Sequence, residues 1–341
     1  MAPNLFLTGT TGYIGGTVLD TVVTSHPEYE VTVLLRNVPS DFSPRYPNVN
    51  IVKGDYDSTE IISDAASRAD VVDYTADSGN SDHEPSINAL IAGLVKRDSK
   101  AFLIHLSGTG IVADWDDPTY HGKLNPKVWS DIEDIDSILS LPDHNLHRNT
   151  EKIIQNAARQ HGDKVKIAII CPPDIYGPGR GPGRTQSVYF PMYYNEIKEV
   201  GAAFYPDEGA NTRSWVHIED LMTVYLKLIE DAVAGGERAN WGLSGYYFTG
   251  SQEVSQRSIA DATGSVLAKH GIISTQPPKQ VSLERVDEMI KSQRFPKLGT
   301  YMFAANSRTR ADRARKVLGY EPKAPSLWQV LEADLLACRD G

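Results

Sequence analysis

Three glycines near the start of the chain have the spacing of a phosphate-binding loop. Gly9, Gly12 and Gly15 form a Gly-x-x-Gly-x-x-Gly pattern between a short apolar run and a segment with helical spacing. A turn without side chains lets the backbone approach a pyrophosphate, and a helix N-terminus offers free N–H groups and a positive dipole. We therefore expect this loop to bind a dinucleotide. The expected contacts are Gly9, Thr11, Gly12, Tyr13, Ile14 and Gly15.

The residue at the end of the second apolar run indicates which dinucleotide is bound. An acidic side chain about 20 positions after the glycine loop would bind the ribose 2′-hydroxyl of NAD. Arg36 occupies this position. A guanidinium can pair with a 2′-phosphate through two hydrogen bonds. The sequence therefore favours NADP(H), with NAD as the alternative cofactor and an arginine that merely faces solvent as the other interpretation.

Strands and helices in alternation must position these residues. Segments with helical spacing separate a series of short apolar runs, and this alternation is typical of βαβ units with a parallel sheet. The runs cover residues 5–7, 31–35, 49–53, 71–74, 101–106 and 165–171. Right-handed crossovers leave few topologies, and the simplest is a Rossmann-type, doubly wound parallel α/β sheet.

The composition changes after residue 171, where prolines and glycines become frequent. Helical spacing then returns over residues 187–200, 218–233, 255–270, 309–318 and 326–338. We therefore predict an NADP-binding Rossmann domain over residues 1–171. An acidic insertion over about residues 112–143 is expected to face solvent. Residues 172–341 are predicted to form a smaller, mostly helical substrate lobe, with some segments that return to the Rossmann sheet.

Charge and composition argue against several classes of protein. The 34 Lys and Arg residues against 44 Asp and Glu give a net charge of −10, which disfavours nucleic acid or an anionic membrane as partner. Two cysteines and scattered histidines predict neither a disulfide framework nor a metal site. No signal or membrane-spanning pattern is found. We expect a cytoplasmic protein with a small-molecule substrate. The sequence leaves open whether the chain forms a homodimer.

Five segments, in order, resemble the extended short-chain dehydrogenase/reductase superfamily, which includes sugar-nucleotide epimerases and NADPH-dependent carbonyl reductases. The resemblance spans roughly residues 4–250, and Cys171 replaces the arginine that begins the fourth segment in the family. The segments are residues 9–15, 55–56, 74–76, 171–179 and 213–221. Beyond the glycine loop, the resemblance implies cofactor contacts from Asp55, Tyr56, Thr75, Ala76, Pro172 and Ile175.

The catalytic Tyr-x-x-x-Lys pair of this superfamily is absent. The family also uses a Ser or Thr after the fifth strand, where Ser107 stands here with Thr109 as a substitute. A family glutamate on the next helix aligns with Glu151, and counting back from it places His147 at the lysine position and Asp143 at the tyrosine position. Because the family's lysine holds the nicotinamide ribose, His147 is also expected to contact the cofactor.

Three interpretations account for the missing pair. Another group supplies the proton, either His147 oriented by Asp143, since imidazole titrates near neutrality, or Tyr176 from the fourth segment. Alternatively, the protein binds NADP(H) without turnover, as NmrA-like redox sensors do. The third interpretation is a shifted alignment, although residues 143–149 contain no tyrosine.

We predict an NADPH-dependent reductase of a small carbonyl or related unsaturated compound, with Ser107 on the substrate oxygen. The alternatives are a non-catalytic NADP(H) sensor and a sugar-nucleotide epimerase or dehydratase. Such an epimerase would grip a nucleotide diphosphate with Arg180, Arg184 and Arg213, although a solvated loop arginine is the favoured interpretation for Arg180 and Arg184. The aromatic run over residues 189–194 is expected either to wall an apolar substrate pocket or to form core.

Overall fold

A computed structural model describes residues 2–76, 83–274, 277–290, 295 and 297–340. Its strands are β1 (Asn4–Thr8), β2 (Glu30–Leu35), β3 (Asn50–Lys53), β4 (Val71–Tyr74), β5 (Ala101–Leu106), β6 (Trp129–Ser130), β7 (Val165–Cys171), β8 (Asp174–Tyr176), β9 (Phe204–Pro206), β10 (Thr212–His217), β11 (Tyr246–Phe248), β12 (Gln252–Ser255), β13 (Lys279–Val281) and β14 (Thr309–Arg310). Seven of them form one sheet in the order β11-β7-β5-β4-β1-β2-β3, and every neighbouring pair is parallel.

Helices cover both faces of this sheet and build the rest of the molecule. They are α1 (Tyr13–Ser25), α2 (Phe42–Arg45), α3 (Thr59–Arg68), α4 (Glu84–Val95), α5 (Ile135–Leu139), α6 (Arg148–His161), α7 (Tyr189–Val200), α8 (Ile218–Val233), α9 (Gln256–Lys269), α10 (Leu283–Met289), α11 (Leu298–Phe303), α12 (Asp312–Leu318) and α13 (Leu327–Asp340). Short 3-10 turns lie at Thr109–Val112, Pro118–Tyr120 and Gly242–Ser244.

The predicted doubly wound sheet is confirmed, and its central strands β4, β5 and β7 are buried on both faces. Along β7, Ala168 and Ile170 belong to the core on the side of α1, α8 and α12, whereas Ile167 and Ile169 belong to the core on the side of α3, α4 and α6. Continuous apolar runs are expected for parallel strands that have helices on each side. The six predicted runs correspond to β1–β5 and β7, and the seventh strand, β11, comes from the second half of the chain.

The second lobe has its own core around the three-stranded sheet β12-β10-β8 and helices α7, α9 and α13. Tyr189, Phe190 and Tyr193 of the aromatic run are fully buried in it, and the Tyr189 ring lies 4.9 Å from the ring of Trp215. Of the two interpretations for the aromatic run, the structure places these rings in the core.

The insertion over residues 112–143 leaves most of its acidic side chains exposed or half-buried, but it also contains a short strand and one buried aspartate. Its strand β6 pairs with β14, and Asp131 is fully buried. The Asp131 carboxylate accepts hydrogen bonds of 2.8 Å from the backbone N–H groups of Phe248 and Arg313. Buried polar groups are normally satisfied in this way. The insertion therefore ties the sheet to the C-terminal part of the chain.

Candidate functional site

The glycine loop lies in close contact with the end of strand β4. Gly9 has φ +70°, which favours glycine. A Cβ on Gly15 would lie 2.2 Å from Thr75 Oγ1, and one on Gly9 would lie 2.6 Å from the Thr75 carbonyl oxygen. The Thr75 hydroxyl donates a 2.5 Å hydrogen bond to the Thr8 carbonyl. Side chains at these two glycines would separate the loop from β4.

The loop ends at the N-terminus of α1, which has no side-chain cap. Gly12 is the N-cap residue, and it offers no side-chain hydrogen bond to the first turn. The N–H groups of the first turn of a helix have no partner within the helix and attract anions together with the helix dipole. This helix end has the properties required of a pyrophosphate site.

A second glycine-rich loop, residues 177–183, packs against the first. The Tyr13 hydroxyl donates a 2.6 Å hydrogen bond to the Gly177 carbonyl. A Cβ on Gly183 would lie 2.2 Å from the Thr11 carbonyl oxygen, so only glycine fits there. The sequence shows these glycines clearly, but their contact with the glycine loop was not predicted. The second loop fixes the position of the first from the side of the second lobe.

Arg36, Asp55 and Tyr56 line one cleft together with Gly9 and Thr11, and the volume of the cleft is about 330 Å³. Its remaining lining residues are Leu34, Leu35, Asn37, Gly54 and His83. Arg36 is exposed, and its guanidinium makes no hydrogen bond or ion pair within the described ranges. A 2.8 Å hydrogen bond from the Ser58 hydroxyl lowers the pKa of Asp55. A cation and a carboxylate thus face one cleft beside the glycine loop.

The arrangement fits a dinucleotide. The glycines leave a cradle that a Cβ would fill, the uncapped end of α1 suits a pyrophosphate, and Arg36 lines the adjoining cleft with an exposed guanidinium. Asp55 and Tyr56 are within the same cleft and suit the adenosine part. A bound nicotinamide cofactor supplies hydride chemistry. The carboxyl ends of parallel strands are also where ligands bind in open α/β sheets.

A row of aromatic rings, which the sequence did not reveal, extends from this cleft towards β5. The Tyr56 ring lies 4.6 Å from the His83 ring and 5.9 Å from the Tyr74 ring. Tyr74 in turn stacks on His105 at 5.8 Å. Burial lowers the pKa of His105 to about 3, so this imidazole is neutral at physiological pH. His105 therefore serves as a packing residue below the turn that follows β5.

Ser107 follows β5 and forms a hydrogen bond with a buried carboxyl group. Its hydroxyl donates a 2.5 Å hydrogen bond to Glu151 Oε1, which also accepts a 2.8 Å bond from the Tyr246 hydroxyl. Burial raises the pKa of Glu151 to about 7. In the sequence Glu151 only fixes the alignment of the helix, and nothing near Tyr246 indicates this contact. Thr109, the substitute for Ser107, donates its backbone N–H to the Pro172 carbonyl at 2.9 Å.

His147 lies directly before α6, and its imidazole covers the turn after β5. Its backbone is left-handed, with φ 66°. A Cβ on Gly108 would lie 2.8 Å from His147 Nε2, and one on Gly110 would lie 3.2 Å from the same atom. Both glycines therefore leave the space that the imidazole occupies. The imidazole of His147 thus lies beside Gly108, the residue that follows Ser107, although His147 is far from Ser107 in the sequence.

Asp143 and Tyr176 lie away from this turn, and the roles expected for them need correction. The Asp143 side chain is 73% exposed and forms a 2.7 Å ion pair with Lys152, which lowers its pKa. The Tyr176 hydroxyl donates a 2.9 Å hydrogen bond to the Pro325 carbonyl inside the second lobe. The structure therefore supports neither an orienting role for Asp143 nor proton donation by Tyr176.

The remaining predicted cofactor contacts are divided between site and core. Pro172 accepts a hydrogen bond from the turn after β5 and belongs to this edge of the sheet. Ile175 pairs with Val216 and packs against the core on the α8 side. Ala76 follows Thr75 directly after β4 and is buried. Ile175 thus has mainly a packing role.

Metal-ligand clusters and membrane-spanning helices are both absent from the described residues. Within the described ranges, His, Cys, Asp and Glu side chains form no group of three or more that could hold a metal ion. None of the helices in this part of the chain combines the length and apolar character needed to cross a membrane.

The fold and the cleft define a dinucleotide-binding α/β protein, and comparisons with known proteins agree. Residues 147–242 match the model of the NAD dependent epimerase/dehydratase family, and residues 9–163 match that of an NAD(P)H-binding domain. An oxidase, UcsJ from Acremonium sp., is 30% identical over 347 residues, which cover 97% of this chain and 96% of the oxidase. The chain belongs to the NAD-dependent epimerase/dehydratase family, as its motifs predicted.

Solved structures of lower identity share the fold. One of them is DesIV, a dTDP-glucose 4,6-dehydratase from Streptomyces venezuelae with NAD bound. It is 18% identical with a TM-score of 0.65, and the match covers 99% of this chain and 97% of the DesIV chain. A UDP-glucose 4-epimerase from Thermotoga maritima with UDP-glucose is 17% identical with a TM-score of 0.65, and 99% of each chain is covered. At this identity the likeness concerns the fold alone.

Proposed function

We propose that the protein is a cytoplasmic, NADPH-dependent reductase of a small carbonyl or related unsaturated compound. The observation that carries the proposal is the position of His147, whose Nε2 covers the turn after β5 at the same sheet edge as the glycine loop. An imidazole at this position can supply a proton to an oxygen that gains negative charge. The oxidase relative supports redox chemistry over epimerisation.

The preference for NADPH rests on Arg36. Its guanidinium is exposed, lines the cleft beside the glycine loop and has no partner within the described part of the chain. A planar guanidinium binds a phosphate through two parallel hydrogen bonds, whereas the 2′-hydroxyl of NAD would favour an acidic partner. We therefore expect the chain to bind NADPH more tightly than NADH.

The hydroxyl groups beside His147 hold the substrate oxygen in this proposal. The hydroxyl hydrogen of Ser107 is donated to Glu151, so Ser107 can donate to substrate only when Glu151 is protonated and donates to Ser107 instead. Thr109 offers a second hydroxyl on the same turn. Holding the carbonyl in place and supplying a proton as negative charge develops are the two contributions expected from these residues.

A carbonyl screen with matched histidine variants tests the proposal. Purified protein would be incubated with NADPH and a panel of aromatic and aliphatic aldehydes and ketones, and NADPH oxidation would be followed by absorbance. His147→Ala is expected to lower the rate about 100-fold, which is typical of general acid catalysis, and to leave NADPH affinity within severalfold. His161→Ala, at the other end of α6, is the control. An unchanged rate in His147→Ala would contradict the proposal.

A non-catalytic NADP(H) sensor is the second candidate, and the Ser107–Glu151 hydrogen bond favours it. That bond engages the hydroxyl that the family uses on substrate, and the family's Tyr-x-x-x-Lys pair is missing. A sensor would bind NADPH tightly but would not oxidise it with any member of the panel. The same screen therefore separates the two candidates.

A sugar-nucleotide epimerase is less well supported, because its expected diphosphate ligands are engaged elsewhere. Arg180 pairs with Asp20 at 2.7 Å on the outside of α1, and Arg213 is buried against Asp174. The Arg184 side chain donates to two backbone carbonyls of its own loop. All three arginines thus have local partners. The related structure with a bound sugar nucleotide shares its fold with this chain, and its low identity gives no support for a shared substrate.

A further inference from the structure

A second polar side chain reaches the point that His147 covers. The Tyr301 hydroxyl lies 2.8 Å from the place where a Cβ of Gly110 would be, and His147 Nε2 lies 3.2 Å from that same place. Tyr301 comes from α11, near the C-terminal end of the chain, whereas His147 precedes α6. A phenol and an imidazole therefore converge above one glycine of the turn that follows β5.

The Tyr301 ring is held by a buried cation. The Arg213 guanidinium carbon lies 4.7 Å from the centre of the ring, and Arg213 also donates a 2.8 Å hydrogen bond to the Tyr301 carbonyl. Arg213 is itself fixed by a 2.5 Å bond to the Asp174 carboxylate. Because both the backbone and the ring of Tyr301 are held, its hydroxyl has a defined position beside Gly110.

The charges around this phenol favour a proton donor. Burial raises the pKa of Tyr301, and the neighbouring Arg213 guanidinium opposes this rise. Asp174 raises the pKa further, as does the buried Cys171 thiol. The phenol is therefore protonated at neutral pH, and the nearby guanidinium would stabilise the phenolate after the proton has left.

We propose that Tyr301 is a catalytic proton donor of this site and replaces the absent family tyrosine from another part of the chain. The inference rests on the proposed reductase function. The carbonyl carbon accepts a hydride from NADPH, which becomes NADP⁺, and the C=O π bond opens onto oxygen. That oxygen takes the proton of the Tyr301 hydroxyl. The phenolate then takes a proton from the His147 imidazolium, which is reprotonated from solvent.

Two glycines make this arrangement sterically feasible. A side chain at Gly108 would overlap with the His147 imidazole, and one at Gly110 would overlap with the Tyr301 hydroxyl and crowd the imidazole. Leu146 adds an apolar contact, since its Cδ1 lies 3.2 Å from the same Cβ position of Gly110. Gly110→Ala therefore provides a second variant, in which a methyl group separates the phenol from the imidazole without removing either.

A titration without cofactor or substrate tests whether the phenol and the imidazole interact. NMR of the histidine rings would follow His147 as a function of pH in the full chain and in Tyr301→Phe. Loss of the hydroxyl is expected to shift the titration midpoint of His147. Tyr205→Phe is the matched control, because the Tyr205 ring also packs under a guanidinium, that of Arg257 at 4.2 Å. An identical His147 titration in Tyr301→Phe and the full chain would overturn the inference.

A rate measurement tests the catalytic role. Tyr301→Phe is expected to lower kcat with the reactive carbonyl about 100-fold, with NADPH affinity and thermal midpoint unchanged, and Gly110→Ala should show a similar loss. Tyr205→Phe should match the wild type. If Tyr301→Phe reacts at the wild-type rate while His147→Ala is slow, the role of Tyr301 is overturned and the proposed function stands. NADPH binding without oxidation by any panel compound would overturn both.

Discussion

Ser107 and Glu151 are joined by a 2.5 Å hydrogen bond beneath the turn that follows β5. Glu151 is fully buried and also accepts the hydroxyl of Tyr246. Burial raises the pKa of Glu151 to about 7, so its charge changes within the physiological pH range. The Ser107 hydroxyl hydrogen is therefore engaged by Glu151 at high pH and is available to a substrate at lower pH.

The first prediction concerns the pH dependence of the reductase rate. The rate is expected to fall as pH rises through about 7, because ionised Glu151 then takes the Ser107 hydroxyl hydrogen. Glu151→Gln cannot ionise, so the part of this inflection that Glu151 causes should be lost in a plot of log kcat/KM against pH, and only the part due to the His147 imidazolium should stay. Glu237→Gln, at an exposed position, is the control. The same inflection in Glu151→Gln would contradict this role.

The second prediction concerns stability. A carboxyl group whose pKa is higher in the folded protein than in the unfolded chain binds more protons when folded, so its contribution to the free energy of unfolding decreases as pH rises. For Glu151 the loss should occur between its unfolded value of 4.5 and about 7. The buried Asp131, whose pKa burial also raises to about 7, acts in the same direction.

Urea unfolding at pH 5 and pH 8 measures this effect. Glu151→Gln should reduce the loss of stability between the two pH values by on the order of 2 kcal/mol. Glu237→Gln should leave the loss as in the wild type. If Glu151→Gln and the wild type lose the same stability, the carboxyl group is ionised in the folded protein throughout this range.

The third prediction concerns cofactor choice. Arg36→Ala removes the guanidinium beside the glycine loop and is expected to weaken NADPH binding by about 1.5–3 kcal/mol, the contribution of a hydrogen bond to a charged group. NADH affinity should be unchanged. Arg68→Ala on α3 is a suitable control, because Arg68 is exposed and pairs with Asp64. Equal effects of Arg36→Ala on both cofactors would exclude a 2′-phosphate contact.

The fourth prediction concerns Asp143. Because its carboxylate is exposed and pairs with Lys152, Asp143→Asn should leave kcat within about twofold of the wild type, as for a surface substitution. Steady-state kinetics with the reactive carbonyl would check this, beside His147→Ala as the slow variant. A loss in Asp143→Asn as large as that in His147→Ala would restore the orienting role.

The sheet and the cofactor side of the site were predictable because their signals are local. Buried parallel strands are continuous apolar runs, and Arg36 follows the glycine loop at a spacing that the βαβ unit fixes. His147 was found by counting along a helix from Glu151, which preserves register. Each of these inferences needs only one element or two consecutive ones.

Contacts between distant segments were not predictable in the same way. Tyr301 reaches Gly110 only because the C-terminal part of the chain folds back over β5, and nothing near Tyr301 in the sequence indicates this. Asp131 looked solvated within an acidic run, yet the backbone of β11 and α12 buries it. Sequence spacing likewise placed Asp143 at the family's tyrosine position, but in the structure its side chain is exposed and pairs with Lys152.

Calorimetric titration of the purified chain with NADPH, and separately with NADH, tests the central claim most directly. A dinucleotide on the glycine loop, with its extra phosphate on Arg36, predicts that both bind and that NADPH binds more tightly. Heat from neither cofactor would contradict the assignment of the cleft, and tighter binding of NADH would contradict the part assigned to Arg36.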